Sequence, residues 1–193
     1  MENNYEVENR GCAVLEALER AFPGKFKRDF GLSATTYVAG AEGSTAFDYL
    51  VYVRCFDTFL DVSASAPIRF SKETMGHKVL ERANAYVNEA NETGVCTVRL
   101  DHSGRLCVQL ALFEDEEAIE EAVCRAIDCL DCNFLPLVQI VFDENANPEK
   151  CAFDAGRKLV AKYGAGIKEL ASAVHLKLNR CPFVKETEEG SEG

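Results

Sequence analysis

The sequence predicts an α+β domain built on one antiparallel sheet, and three observations carry that expectation. Strand-like stretches at 33–39, 45–56 and 59–66 follow one another through connections too short for a helical crossover, so they must pair antiparallel. A helix, a short hairpin and a second helix then follow over 76–134. Helices and strands do not alternate one for one, which excludes a doubly wound parallel sheet.

Residues 1–10 (MENNYEVENR) are polar and are expected to form a flexible N-terminus. Val14, Leu15, Leu18, Ala21 and Phe22 trace the apolar face of a first helix from Gly11, stopped by Pro23-Gly24. The basic stretch KFKRDF at 25–30 reads as a solvated loop. SATTYVA, 33–39, is β-branched and aromatic and is closed by Gly40 and Gly43.

In TAFDYLVYVRCF, Phe47, Tyr49, Val51, Val53 and Cys55 alternate on one face with Leu50, Tyr52 and Phe56 on the other. Apolar residues on both faces predict a central strand at least partly covered on both sides. After a reversal at Asp57-Thr58, Leu60, Val62, Ala64 and Ala66 point inward, and Asp61, Ser63 and Ser65 outward. Pro67 ends the pairing or marks an edge.

Ser71 or Thr74 can cap the next helix, in which Val79, Leu80, Ala83, Val87 and Ala90 recur at helical spacing before a left-handed cap at Gly94. The hairpin places Cys96, Val98 and Leu100 on one face with Leu106, Val108, Leu110 and Leu112. Glu114 to Glu117 then meet the positive end of a helix dipole, so that acidic cluster needs no metal to explain it. Ala118, Ile119, Ala122, Val123, Ala126, Ile127 and Leu130 form its apolar stripe.

Pro136 predicts a kink or break, with continuation as a bent helix preferred. Asn147-Pro148-Glu149 opens another helix, bearing Ala152, Ala155, Leu159 and Tyr163, and Gly164 and Gly166 are expected to break it before IKELASAVHLKL. The expected layout is a flexible segment 1–10, an α+β domain 11–145, a helical extension 146–180 and a disordered acidic tail 181–193. Five strands are expected, with the middle helix after the third.

Composition narrows the function. The chain has 193 residues, 47% of them hydrophobic and 27% charged, which suits one folded domain of ordinary size. A net charge of −11 repels phosphate backbones and anionic lipid, so neither nucleic acid nor membrane is an expected partner. No secretory signal or membrane-length apolar run is visible. Nine scattered cysteines read as reduced, mostly buried thiols of a cytoplasmic protein.

The element order α-β-β-β-α-β-β-α is similar to the fold of type III secretion chaperones, and the local pattern resembles the YbjN family of bacterial proteins. The residues that carry this lie in 59–142: the strand ending in Pro67, the helix bearing Val87-Asn88-Glu89-Ala90-Asn91, and the strand–Asp101-His102-Ser103-Gly104–strand turn. The acid-capped helix 116–134 and the apolar run Leu137–Phe142 complete it. The resemblance implies a small acidic protein, often a homodimer, that binds other polypeptides and has no catalytic residues to carry over. Residues from about 147 onward have no counterpart in it.

Cys129-Leu-Asp-Cys132 is a CxxC placed several turns into a helix and beside Asp128 and Asp131. It lacks the helix N-terminus that activates such a pair, and carboxylates raise thiol pKa values. No second knuckle accompanies it for zinc, and Cys124, Cys151 and Cys181 stand singly. His77, His102 and His175 neighbour no nucleophile motif, and no phosphate-binding glycine loop occurs.

The expectation is therefore a non-enzymatic, chaperone-like or regulatory module without cofactor, metal or catalytic residues. It would bind an apolar segment of an unidentified protein partner, on the faces of Asp48 to Phe56 or of helix 76–93. The alternative is a small enzyme or a redox sensor using Cys129 and Cys132.

Overall fold

A computed structural model describes residues 2–29, 35–42, 48–56, 58–70, 72–92, 94–112 and 118–178. The order is α1 (Glu2–Ala21), β1 (Lys27–Asp29), β2 (Thr35–Glu42), β3 (Asp48–Cys55), β4 (Leu60–Arg69), α2 (Lys72–Met75), α3 (His77–Asn91), β5 (Thr97–Leu100), β6 (Arg105–Leu112), α4 (Ile119–Phe142) and α5 (Pro148–Leu178). One six-stranded sheet runs β1-β2-β3-β4-β6-β5, with every neighbouring pair antiparallel. The chain is thus α+β, as its short strand connections require.

Two elements depart from expectation on the N-terminal side. The helix starts at Glu2, not near Gly11, and Leu15 is 36% exposed while Val14 and Leu18 are fully buried. The supposed basic loop contains β1, an edge strand of three residues that pairs Lys27, Arg28 and Asp29 with Val38, Tyr37 and Thr36. Its anchor is Phe26, buried with its ring 5.9 Å from that of Phe22. With β1 present, the middle helices follow the fourth strand rather than the third.

One face of the sheet carries Tyr37, Ala39, Tyr49, Val51, Val53, Leu60, Val62, Ala64, Leu106 and Val108, all buried under α1 and α4. Helix α4 lies along the middle of that face. Its stripe of Ile119, Ala122, Val123, Ala126, Leu130, Phe134, Leu137 and Ile140 is buried throughout. Pro136 sits inside this one continuous helix, the preferred of the two outcomes. Proline removes a single amide donor there, and packing on both sides of it outweighs the local loss.

Helix α3 packs beside α4 and against β5, and α5 closes over α3 and α4 as an outer layer. Thr74 does not cap α3: it falls inside the short α2, and Gly76 at φ 76° precedes α3 with no side-chain cap. Gly94 does adopt the expected left-handed turn, at φ 67°, its amide donating to the Asn91 carbonyl. Asn147 also caps as expected, accepting from the Lys150 amide at 3.0 Å.

Gly164 and Gly166 do not interrupt α5, which runs unbroken from Pro148 to Leu178. A glycine costs an interior helix position about 1 kcal/mol without forbidding it. The start of α5 is no separate arm. Ala152, Ala155 and Leu159 are buried, and Arg82 of α3 donates to the Asp143 and Ala146 carbonyls of the α4–α5 turn, both at 2.7 Å. Outside the described residues lie Ser71, the Glu114–Glu117 cluster, Asp57, the Gly43 turn with Phe47, the side chain of His175, Cys181 and the acidic tail 181–193.

Pro67 lies where the ladders of β4 lapse. Pairing with β3 ends at Ser65, and pairing with β6 shifts register between Ser65 and Arg69. Beyond that bulge the β5–β6 turn approaches β4 closely. Gly104, at φ 77°, would place a Cβ 2.3 Å from the Phe70 carbonyl oxygen, a backbone atom that cannot swing aside. Replacing Gly104 by Ala should cost about 3 kcal/mol or more in urea unfolding, while Gly94→Ala, left-handed but in open space, should cost about 1 kcal/mol. Equal losses would refute the close approach.

Candidate functional site

Side chains alternate across the sheet, so each residue packed under α4 has neighbours that point the other way. On that second face stand Val38, Leu50, Tyr52, Arg54, Asp61, Ser63, Ser65, Arg69, Arg99, Arg105, Cys107 and Gln109, placed side by side by the strand register. No described helix packs against it. Leu50 is 40% exposed while Tyr52 and Val38 are half-buried, so the second face of β3 is covered only in part, within the expectation from its apolar alternation.

The face is not simply wet. Asp61, Ser63 and Ser65 point away from the helices as expected, yet all three are buried. Short side chains in the middle of a wide sheet sink between the longer ones of neighbouring strands. Arg54 reaches across to Asp61 at 2.7 Å and to Ser63 Oγ at 3.3 Å, and its guanidinium lies 5.2 Å from the Tyr52 ring centre. Asp61 Oδ1 has no hydrogen-bond partner among the described residues.

The other expected face, that of helix 76–93, borders an apolar groove at its C-terminal end, where Glu89 and Glu92 stand beside Phe153, Gly156 and Val160 of α5. Ala83, Tyr86, Val87 and Ala90 are spent on the core, and Lys78, Glu81, Asn84 and Asn88 face out. The Asn-x-x-Asn pattern has a structural use: Asn91 donates to the Val98 carbonyl at 2.8 Å and accepts from the Val98 amide at 2.6 Å. It thereby occupies the free backbone of edge strand β5. Exposed apolar residues occur instead on the outer helices, with Phe142 78%, Phe153 69% and Val160 46% exposed.

The structure separates the two cysteines of the CxxC. Cys129 is fully buried beside Cys96, whereas Cys132 is half-buried. The thiol contact with Cys96 and burial both hold Cys129 well above the ordinary thiol range, and the same contact lowers Cys96. Burial also raises Cys132, with Asp128 and Asp131 adding to it against Lys158. Cys55, Cys96 and Cys107 are buried, Cys132 and Cys151 half-buried, and Cys12 and Cys124 exposed, all of them free thiols. The contact between Cys96 and Cys129 spans the β5 approach and α4, a pairing no local spacing could reveal.

Among the described residues, His77 and His102 do not assemble with nucleophiles. His77 pairs with Glu81 one turn on at 3.1 Å, both largely exposed. His102 sits in the turn beside Ser103, but the Ser103 hydroxyl donates to Asp101 Oδ1 at 2.7 Å rather than to the imidazole. Asp101 also accepts from the Ser103 and Arg105 amides at 2.8 and 2.9 Å, so its role is to shape the turn. Among the described residues no group of three His, Cys, Asp or Glu side chains is placed to hold a metal ion. None of their helices is long and apolar enough to cross a membrane.

The ion pair on the open face yields a stability prediction. Removing Arg54 leaves Asp61 a buried, uncompensated charge, so Arg54→Met should cost about 3 kcal/mol in chemical unfolding. Adding Asp61→Ser to that variant should restore much of the loss, whereas two independent, additive costs would contradict the pairing.

No protein family, curated protein or solved structure was found to match this chain.

Proposed function

We propose that this chain is a non-enzymatic polypeptide-binding module, chaperone-like or regulatory, and that a partner segment lies on the open face of its sheet. One observation carries the reading: the described helices pack on one side of a six-stranded sheet, with Leu50, Tyr52 and Val38 on the other. Such a face accepts an extended segment by burying alternate side chains between the strands' own. With β1 set aside, the element order along the chain, a helix, three strands, helices, two strands and a helix, is the order on which the resemblance to secretion chaperones rests. This supports placing the chain with the YbjN family.

The homodimer implied by that resemblance is part of the proposal, and the exposed Phe153 and Val160 of α5 are its contact residues. A thiol sensor is the weaker reading because Cys129 is fully buried and burial raises the half-buried Cys132 thiol.

A photoreactive phenylalanine analogue placed at position 50 or at position 153, in the native host, tests both parts at once. Position 50 should capture a heterologous polypeptide, and position 153 a product of twice the chain mass. Capture from neither position would sink the proposal. A heterologous product from 153 alone would move the docking surface to α5.

A further inference from the structure

The open face is unevenly charged. Arg69 of β4 and Arg105 of β6 are paired directly across the ladder, and Arg99 of β5 stands diagonal to Arg105, opposite Cys107. Like charges set directly opposite on a sheet repel one another, and a fold does not gather them without cost. Among the described residues no carboxylate lies within ion-pairing distance of Arg69, Arg99 or Arg105. Arg105 Nε is buried with no hydrogen-bond partner there. The carboxylate nearest in sequence, Asp101, is committed to three hydrogen bonds inside the turn.

From this juxtaposition we infer that Arg69, Arg99 and Arg105 form the docking site for an acidic segment of a partner polypeptide. The inference rests on the polypeptide-binding reading above and adds the chemistry of the partner. Three adjacent strands span about 10 Å, and carboxylates two residues apart in an extended peptide are separated by about 7 Å. A Glu-x-Glu or Asp-x-Asp pair therefore reaches this cluster from one side of an extended segment. Guanidinium groups grip carboxylates through paired, charge-assisted hydrogen bonds, and an added anion also relieves the repulsion between Arg69 and Arg105. Farther along the same face, Leu50, Tyr52 and Val38 receive the segment's apolar residues.

A nucleic acid fits less well. The net charge of −11 opposes a long phosphate backbone, and the one aromatic ring that the described strands place on this face, Tyr52, is engaged by Arg54. A short acidic peptide needs only the local field. At near-physiological ionic strength the rest of the chain's charge is screened beyond about 8 Å.

The test is fluorescence anisotropy on the full chain with a labelled short polyglutamate peptide, a matched polylysine peptide and a matched oligothymidylate. Polyglutamate should bind, polylysine should not, and an Arg99→Gln, Arg105→Gln double variant should weaken polyglutamate binding about tenfold or more. Lys27→Gln, at the far edge of the same face, should leave it unchanged. Thermal melts of all variants identify any loss that comes from unfolding, and Arg69→Gln then supplies a second, exposed removal of charge from the cluster.

No polyglutamate binding, equal binding by the folded double variant, or tighter binding of oligothymidylate would each overturn the inference. Should those results coincide with retained cross-linking from position 50, the acidic chemistry fails while the docking face stands.

Discussion

Tyr49 stands at the start of β3, fully buried, with its hydroxyl donating to Asp131 of α4 at 2.6 Å and its ring 6.2 Å from that of Phe134. This seam between α4 and the sheet fixes everything around it. A buried side chain of the size of Phe134, Leu137 or Ile140 contributes about 1.5–3 kcal/mol, and α4 buries all three against the same layer. The polar ties set the register: Tyr86 of α3 donates to Asn133 Oδ1 at 2.8 Å, and Asn133 donates to the Cys129 carbonyl at 2.7 Å. A buried hydroxyl and a buried amide are thereby satisfied, and α3 and α4 can meet in only one way.

Committing α4 to one face decides the other. Helix α3 turns its apolar side to α4 and β5, and α5 covers α3 and α4 in turn, so the described helices stack outward from a single face. The sheet's edges are nevertheless protected. Strand β1 is three residues long, and Asn91 occupies the outward amide and carbonyl of Val98 on β5. Short edges and capped edges both suppress strand addition. In the proposed role, the sheet would meet a partner by a face rather than an edge, apolar at Leu50 and Tyr52 and basic at Arg69, Arg99 and Arg105.

Local chemistry was legible wherever it was strong. The Asn147-Pro148 start, the Gly94 turn and the period-two run of β3 each report a conformation that neighbouring residues alone enforce. Strand β1 was hidden because Lys27, Arg28 and Asp29 carry no apolar alternation, and the strand exists through its pairing with β2. The continuity of α5 through two glycines, and the burial of Asp61, Ser63 and Ser65, are likewise set by context. The arginine cluster is the clearest case. Residues 69, 99 and 105 look unrelated along the chain and become neighbours only because β6 inserts between β4 and β5.

The two tyrosines of β3 make the asymmetry of the sheet measurable. Hydroxyl-radical footprinting of the dilute, native chain, read by mass spectrometry, compares Tyr49 and Leu50 and Tyr52 within one strand. With the described helices on one face, Leu50 and Tyr52 are oxidised readily while Tyr49 and Val51 stay protected until the chain unfolds. Equal protection of all four positions would mean that both faces are covered, and the docking face would not exist.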